Sequence, residues 1–210
     1  MTDPALYFVT DVETDGPVPA ANSMLSFATV IVDEAGEQRG TFEAVLKARP
    51  DRVQYPSTMD WWSTVPEAWA AATENPEPPA DVMPRFADWV ESFEGTRLFA
   101  ARPLAFDGLW IDEYLRTFAG TRYLDGPFEG RKVFHGSGLD IESYMAGVLG
   151  RTLSPMLTEG FQTTWLGDVP HTHRAIDDAR GYANLLCRLL RLARESGPQP
   201  FEVEAGGRGA

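Results

Sequence analysis

Residues 7–16, from Tyr7 to Gly16, read YFVTDVETDG, and the fold of the whole chain turns on how they are taken. Apolar residues run up to Asp11-Val12-Glu13 and stop at the turn-forming pair Asp15-Gly16, the pattern of a buried strand that delivers two acids at its end. Side chains alternate across a strand, so Asp11 and Glu13 point to one face with their Cα atoms about 6.5–7 Å apart. Neighbouring acids on a core strand repel each other and resist desolvation, so something positive should hold them. A divalent metal ion would do so; a strand end that is merely wet would not need one, and this stretch alone leaves both readings open.

The 210 residues, 43% of them hydrophobic, suffice for one domain with a full core. The start, MTDPALYFVT, lacks a basic segment before an apolar run, and no apolar stretch is long enough to span a bilayer, so the expectation is a cytoplasmic protein with no membrane partner. Cys187 is the single cysteine, which excludes an internal disulfide, and its leucine neighbours mark it as a small core residue. With 31 acidic against 18 basic residues, net −13, the chain is unsuited to a broad electrostatic grip on duplex nucleic acid. A short single strand entering a site where metal ions and a few arginines supply positive charge remains compatible.

Leu6–Val12, Leu25–Val32 and Thr41–Lys47 read as three strands, with Asp33-Glu34-Ala35-Gly36 as the hairpin turn between the last two. From residue 50 to 80 the chain is rich in Pro, Trp and Ala and reads as an insert over the sheet, with helical turns at Thr58–Ser63 and Pro66–Thr73. Asp81–Phe93 carries Val82, Phe86, Trp89, Val90 and Phe93 at helical spacing, with Asp81 placed to cap it. Arg97–Ala101 then reads as a fourth strand, Asp107–Phe118 as an amphipathic helix, and residues 119–130 as a polar, Gly-rich link. A fifth strand is expected near Lys132–His135, a helix over Leu139–Leu149, then a Thr- and Gly-rich loop and a long helix over His173–Glu195. Residues 1–196 would form the domain and 197–210 a flexible tail. Three meander strands followed by alternating helices and strands predict an α/β fold with helices on the faces of its sheet.

Projection of the last helix at 100° per residue aligns Asp178 with Tyr182, Leu185, Leu189 and Leu192, and Asp177 with Asn184, Arg188 and Arg191. Asp178 is thus expected to face inward and Asp177 to face water. The same projection sets Asp107 in line with Ile111, Tyr114 and Phe118. A helix N-terminus favours an anion by roughly 0.3–1 kcal/mol, less than the several kcal/mol that burial of an unpaired charge costs. An N-terminal acid that only caps its helix is common. Four inward-facing acids on three separate elements are harder to explain one by one.

Asp11-x-Glu13 with Thr14, Phe106-Asp107, and His173-Arg174-Ala175-Ile176-Asp177-Asp178-Ala179 resemble, in order and interval, the three motifs of the DnaQ-like (DEDDh) 3′–5′ exonucleases. Asn22–Ser26 and Thr58-Met59-Asp60-Trp61-Trp62 are further similar to the RNase T-related exoribonuclease branch. The resemblance implies a ribonuclease H-like fold with a mixed five-stranded sheet. It departs in one place, where Arg102-Pro103 stands ahead of Phe106-Asp107 and many relatives carry His-Asn.

What the resemblance implies for function is a metal-dependent exonuclease that releases nucleoside 5′-monophosphates from single-stranded 3′ ends or short oligonucleotides. Asp11, Glu13, Asp107 and Asp178 would hold two Mg²⁺ or Mn²⁺ ions, and His173 would be the general base, with His171 the less fitting choice by its spacing to Asp178 and His135 structural or peripheral. The backbone at Thr14, Asp15, Gly16, Met24 and Leu25 would cradle the terminal nucleotide. Phe106 and Trp61 or Trp62 would stack on bases, although packing of the insert is the better reading of the tryptophan pair; Arg102 would meet a phosphate or equally stand exposed at a strand end, and Arg174 would meet a phosphate or only pair with Asp177 or Asp178. Two other readings of the residues are a non-catalytic nucleic-acid-binding domain of this fold and a phosphodiesterase on nucleotide conjugates. Pairing as a homodimer is a further expectation from the resemblance.

Overall fold

The structure, a computed structural model, describes residues 4–123, 130–153, 163–170 and 172–197. His171, part of the 119–130 link, most of the Thr- and Gly-rich loop, and the tail from residue 198 lie outside the described residues. Five strands, β1 (Ala5–Thr14), β2 (Met24–Asp33), β3 (Gln38–Val45), β4 (Thr96–Ala101) and β5 (Leu139–Asp140), form one sheet in the order β3-β2-β1-β4-β5. β1 pairs antiparallel with β2 and parallel with β4, so the sheet is mixed, as expected.

All ten residues of β2 are buried, because helices cover it on both faces. Helix α3 (Pro79–Glu91) packs Val82, Phe86 and Val90 against Phe8, Phe27 and Phe99 on one face, in a cluster that includes Trp110, Ile111 and Tyr114 of α4 (Leu104–Tyr114). On the other face α6 (Ala175–Glu195) lays Ala179, Leu185, Leu186 and Leu189 over Val9, Ala28 and Val30, together with Ile141 and Met145 of α5 (Ile141–Val148). Cys187 is buried in this second layer as a small core residue. No helix among the described residues is long and apolar enough to cross a membrane.

Two short helices of the Pro/Trp segment, α1 (Pro56–Trp62) and α2 (Pro66–Thr73), enclose a third cluster around Leu25 with Trp62, Ala68 and Ala72. Helices α1, α2 and α3 each start on a proline, whose fixed φ suits the first helical turn and whose missing N–H costs nothing there. Asp81 therefore sits inside the first turn of α3 rather than capping it, since the helix begins two residues earlier than its apolar spacing shows.

The expected strand at Lys132–His135 is absent, and the fifth strand is Leu139–Asp140. His135 does donate its amide to Arg97 O at 2.8 Å, but the Arg97 amide is taken by His135 Nδ1 at 3.0 Å, so a side chain ends the ladder that a strand would have continued. Val133 and Phe134 are core residues on irregular backbone. The next helix correspondingly starts at Ile141 instead of Leu139.

Candidate metal and active site

At the C-terminal end of β1 the chain assembles its acids. Carboxylate oxygens of Asp11, Glu13 and Asp178 all lie within 4.8 Å of one another. Asp11 and Glu13 occupy alternate positions of β1 and so project together towards α6, whose first turn supplies the buried Asp178. Asp107 arrives from the opposite layer, in the first turn of α4, and its Oδ1 accepts a hydrogen bond from Val12 N at 3.1 Å. It stands just outside the tight trio yet close enough for its charge to act on Asp11 and Glu13.

Burial dominates the protonation of these groups. The Asp11 carboxyl is held well above the usual range, first by desolvation and then by Asp107, Glu13 and Asp178. Desolvation followed by the Asp178 and Asp107 charges pushes Glu13 up to about 9. Asp107 rises to about 7, its desolvation partly offset by the hydrogen bond from Val12. Acids so arranged favour a cation between them, because each can ionise only when its neighbours' charge is balanced. All the donors are carboxylate oxygens, a set suited to a hard divalent ion such as Mg²⁺ or Mn²⁺ and not to a thiophilic one.

His173 precedes α6 with a left-handed backbone, φ 56°, and its ring meets the edge of Trp61 at 5.0 Å between centroids. Asp177 is partly buried and accepts from Thr172 Oγ1 at 2.8 Å, which ties the loop carrying His173 to the start of the helix. Arg174 is exposed at the helix N-terminus. Trp61 is 39% exposed, while its neighbour Trp62 is buried and donates Nε1 to Thr14 O at 2.9 Å, pinning the strand end. One tryptophan of the pair therefore packs the insert and the other faces the site.

Several of the residues expected to meet substrate also serve the fold. Met24 and Leu25 are core residues, with Met24 N donating to Tyr114 Oη at 2.8 Å and Leu25 O accepting from Leu46 N. Thr14 and Asp15 turn inward: Thr14 Oγ1 donates to Gly16 O, and Asp15 Oδ1 accepts from Ser23 N. Gly16 is needed for close packing, since a Cβ there would lie 2.3 Å from Asn22 Cγ. Phe106 is half-buried with its ring 6.3 Å from Trp110. Arg102, placed by the sequence either at a phosphate or in solvent, is instead partly buried, its guanidinium 3.7 Å from Glu142 and over the Tyr182 ring at 5.6 Å. His135 is structural, as expected.

One residue of consequence had escaped the motif reading. Asp140 caps α5 by accepting from Ser143 N at 2.7 Å, and its second oxygen accepts from Leu104 N at 2.9 Å. A single carboxylate thus fixes the start of the helix that carries Asp107. The Asp140-Ile141-Glu142-Ser143 stretch bears an N-cap signature that could have revealed half of this role; the long-range half has no local signal.

The five-stranded sheet and its flanking helices give the chain the fold of a group of 3′–5′ exonucleases, among them a DEDDh family member, and the carboxylate cluster lies at the end of its central strand. Its similar proteins are exonucleases: the chain is 27% identical over 205 residues to the 3′–5′ DNA exonuclease Cap18 of Escherichia coli, covering 92% of this chain and 96% of that protein. No protein-family model matches. Escherichia coli exonuclease I in complex with a dT13 oligonucleotide superposes with a TM-score of 0.61 at 15% identity, over 93% of this chain and 42% of that one. A moderately thermophilic exonuclease I from Methylocaldum szegediense gives 0.60 at 23% identity, over 94% and 41%. The nuclease domain of 3′hExo, a DEDDh family member bound to rAMP, gives 0.59 at 11% identity over 90% of this chain and 92% of that one. The chain thus spans about two fifths of the exonuclease I chains and most of the 3′hExo domain.

Proposed function

We propose that this chain is a divalent-metal-dependent 3′–5′ exonuclease acting on single-stranded 3′ ends or short oligonucleotides and releasing nucleoside 5′-monophosphates. The observation that carries the reading is the convergence of Asp11, Glu13 and Asp178 within 4.8 Å, on elements far apart in sequence, with Asp107 beside them. The names of the similar proteins support it. In this reading Asp11, Glu13, Asp107 and Asp178 hold two Mg²⁺ or Mn²⁺ ions. Bound there, such ions would supply activation of a water and balance for the charge on the departing 3′-oxygen.

The remaining work belongs to the chain. His173 accepts the water's proton; it stands just before α6 with a left-handed backbone, and its ring packs against Trp61. The Val12 amide and the Asp140 clamp hold Asp107 in place. Trp61, 39% exposed beside His173, stacks on a base next to the reacting phosphate.

The test is a 5′-labelled single strand incubated with Mn²⁺ and, separately, with chelator. A ladder that shortens from the 3′ end only with metal supports the proposal. Binding without cleavage would instead indicate a non-catalytic domain, and cleavage of nucleotide conjugates alone a phosphodiesterase.

A further inference from the structure

The large hydrophobic side chains most exposed among the described residues are not scattered. Four of the seven, Val18 (47%), Val53 (74%), Tyr55 (48%) and Trp61 (39%), lie on two segments that run side by side from the carboxylate cluster. The segments are stitched together: Tyr55 N donates to Asp15 O, Val53 N to Ala21 O, and the Asn22 amide bridges them, accepting from Val18 N and donating to Val53 O at 2.6 Å. The result is a rigid ledge whose inner end is Trp61, against His173, and whose outer end is Val53 and Val18.

Resting on the exonuclease reading, we propose that this ledge is the binding track for the bases of the nucleotides 5′ to the one being removed, in a single strand held through its bases and not its phosphates. Tyr55 is the N-cap residue of α1 and Trp61 its sixth residue, so helix rise separates them by about 9 Å, the length of two to three stacked nucleotide steps at roughly 3.4 Å each. Every base has a π-face, so an aromatic and aliphatic ledge is indifferent to sequence. The cations at the outer end of the ledge are already engaged: Arg49 and Arg52 pair with Asp51 and Glu113, and the Arg49 guanidinium covers the Tyr114 and Phe118 rings, which leaves Arg174, at the inner end, as the exposed one beside His173. In a chain of net charge −13, grip through bases is the route that least depends on attracting the phosphate backbone. A duplex, whose bases already stack on each other, gains nothing from such a ledge.

The experiment has a kinetic and a binding arm. Wild type, Tyr55→Ala, Val53→Ser and Tyr55→Phe are compared on oligothymidylates of two and five nucleotides at low and high salt. The pentanucleotide is expected to have the higher kcat/KM, through KM. Tyr55→Ala should cut the ratio of the two substrates by about tenfold, with Val53→Ser weaker and Tyr55→Phe close to wild type. Binding of 5′-fluorescein-labelled pentathymidylate, followed by anisotropy in EDTA where no turnover occurs, should weaken in the same order. Its dependence on log salt should be nearly flat, whereas a grip through two or three phosphates would give a slope of about −1.4 to −2.1. Unaltered binding in Tyr55→Ala, or the steep salt slope, overturns the track. Absence of cleavage by wild type overturns the exonuclease reading instead, and the binding arm still decides the ledge.

Discussion

Asp177 and Asp178 are adjacent, chemically identical, and set in opposite surroundings. Asp178 is buried in the carboxylate trio, while Asp177 holds Thr172 and lies 3.9 Å from Arg180. Asp178→Ala is expected to abolish turnover and the thermal shift caused by Mn²⁺. Asp177→Ala should keep that shift and lose about tenfold in kcat or less, through a loosened His173 loop. Equal losses in the two variants would contradict the arrangement. His173→Ala should lower kcat by roughly 10²–10⁴ while the Mn²⁺-induced shift survives, read by steady-state kinetics and differential scanning fluorimetry. Helical projection placed Asp178 on the inner face, because a 21-residue amphipathic helix marks that face well, but it sent Asp177 to water, whereas that carboxylate is only 19% exposed and is held by Thr172 from the preceding loop. It could not show that Arg102 would be drawn to Glu142 and Tyr182, since that contact joins three elements whose packing no local pattern encodes.

At the level of elements, the ends of helices matter more than their middles. Asp140 serves two helix starts, so Asp140→Ala leaves the amides of Leu104 and Ser143 without their acceptor and should cost about 1–3 kcal/mol in denaturant unfolding. Because α4 carries Asp107, the same variant should weaken metal binding, whereas a cap of purely local importance would leave it unchanged. Trp62→Phe removes the bond to Thr14 O and should cost on the order of 1–3 kcal/mol, read by the same denaturant unfolding. The long strands and α3 and α6 were readable because their periodicity extends over many residues, and the short α2 because a proline opens an alanine-rich run. β5 was not: two residues carry no period, and Val133-Phe134 mimicked a strand while filling the core from a loop.

For the molecule as a whole, the acid cluster links metal, pH and stability. Glu13 binds its proton more tightly in the folded protein, up to about 9 against the usual 4.5, and Asp107 up to about 7 against 3.8. Groups raised in this way contribute stability below their unfolded pKa and lose it as pH rises through the folded value. Chelator-treated protein should therefore melt at progressively lower temperature from about pH 4 to pH 9, and the gain on adding Mg²⁺ should grow over the same interval; a flat profile would contradict the burial described above. The two sides of the sheet have separate hydrophobic clusters, and the acids come from both: Asp107 from the layer of α4, Asp178 from that of α6. An ion seated among them acts as a bolt driven through a sandwich. With the bolt in place, amide hydrogens of α4 and α6 should exchange with solvent in a single concerted event; once it is withdrawn, one slice should be free to peel away before the other.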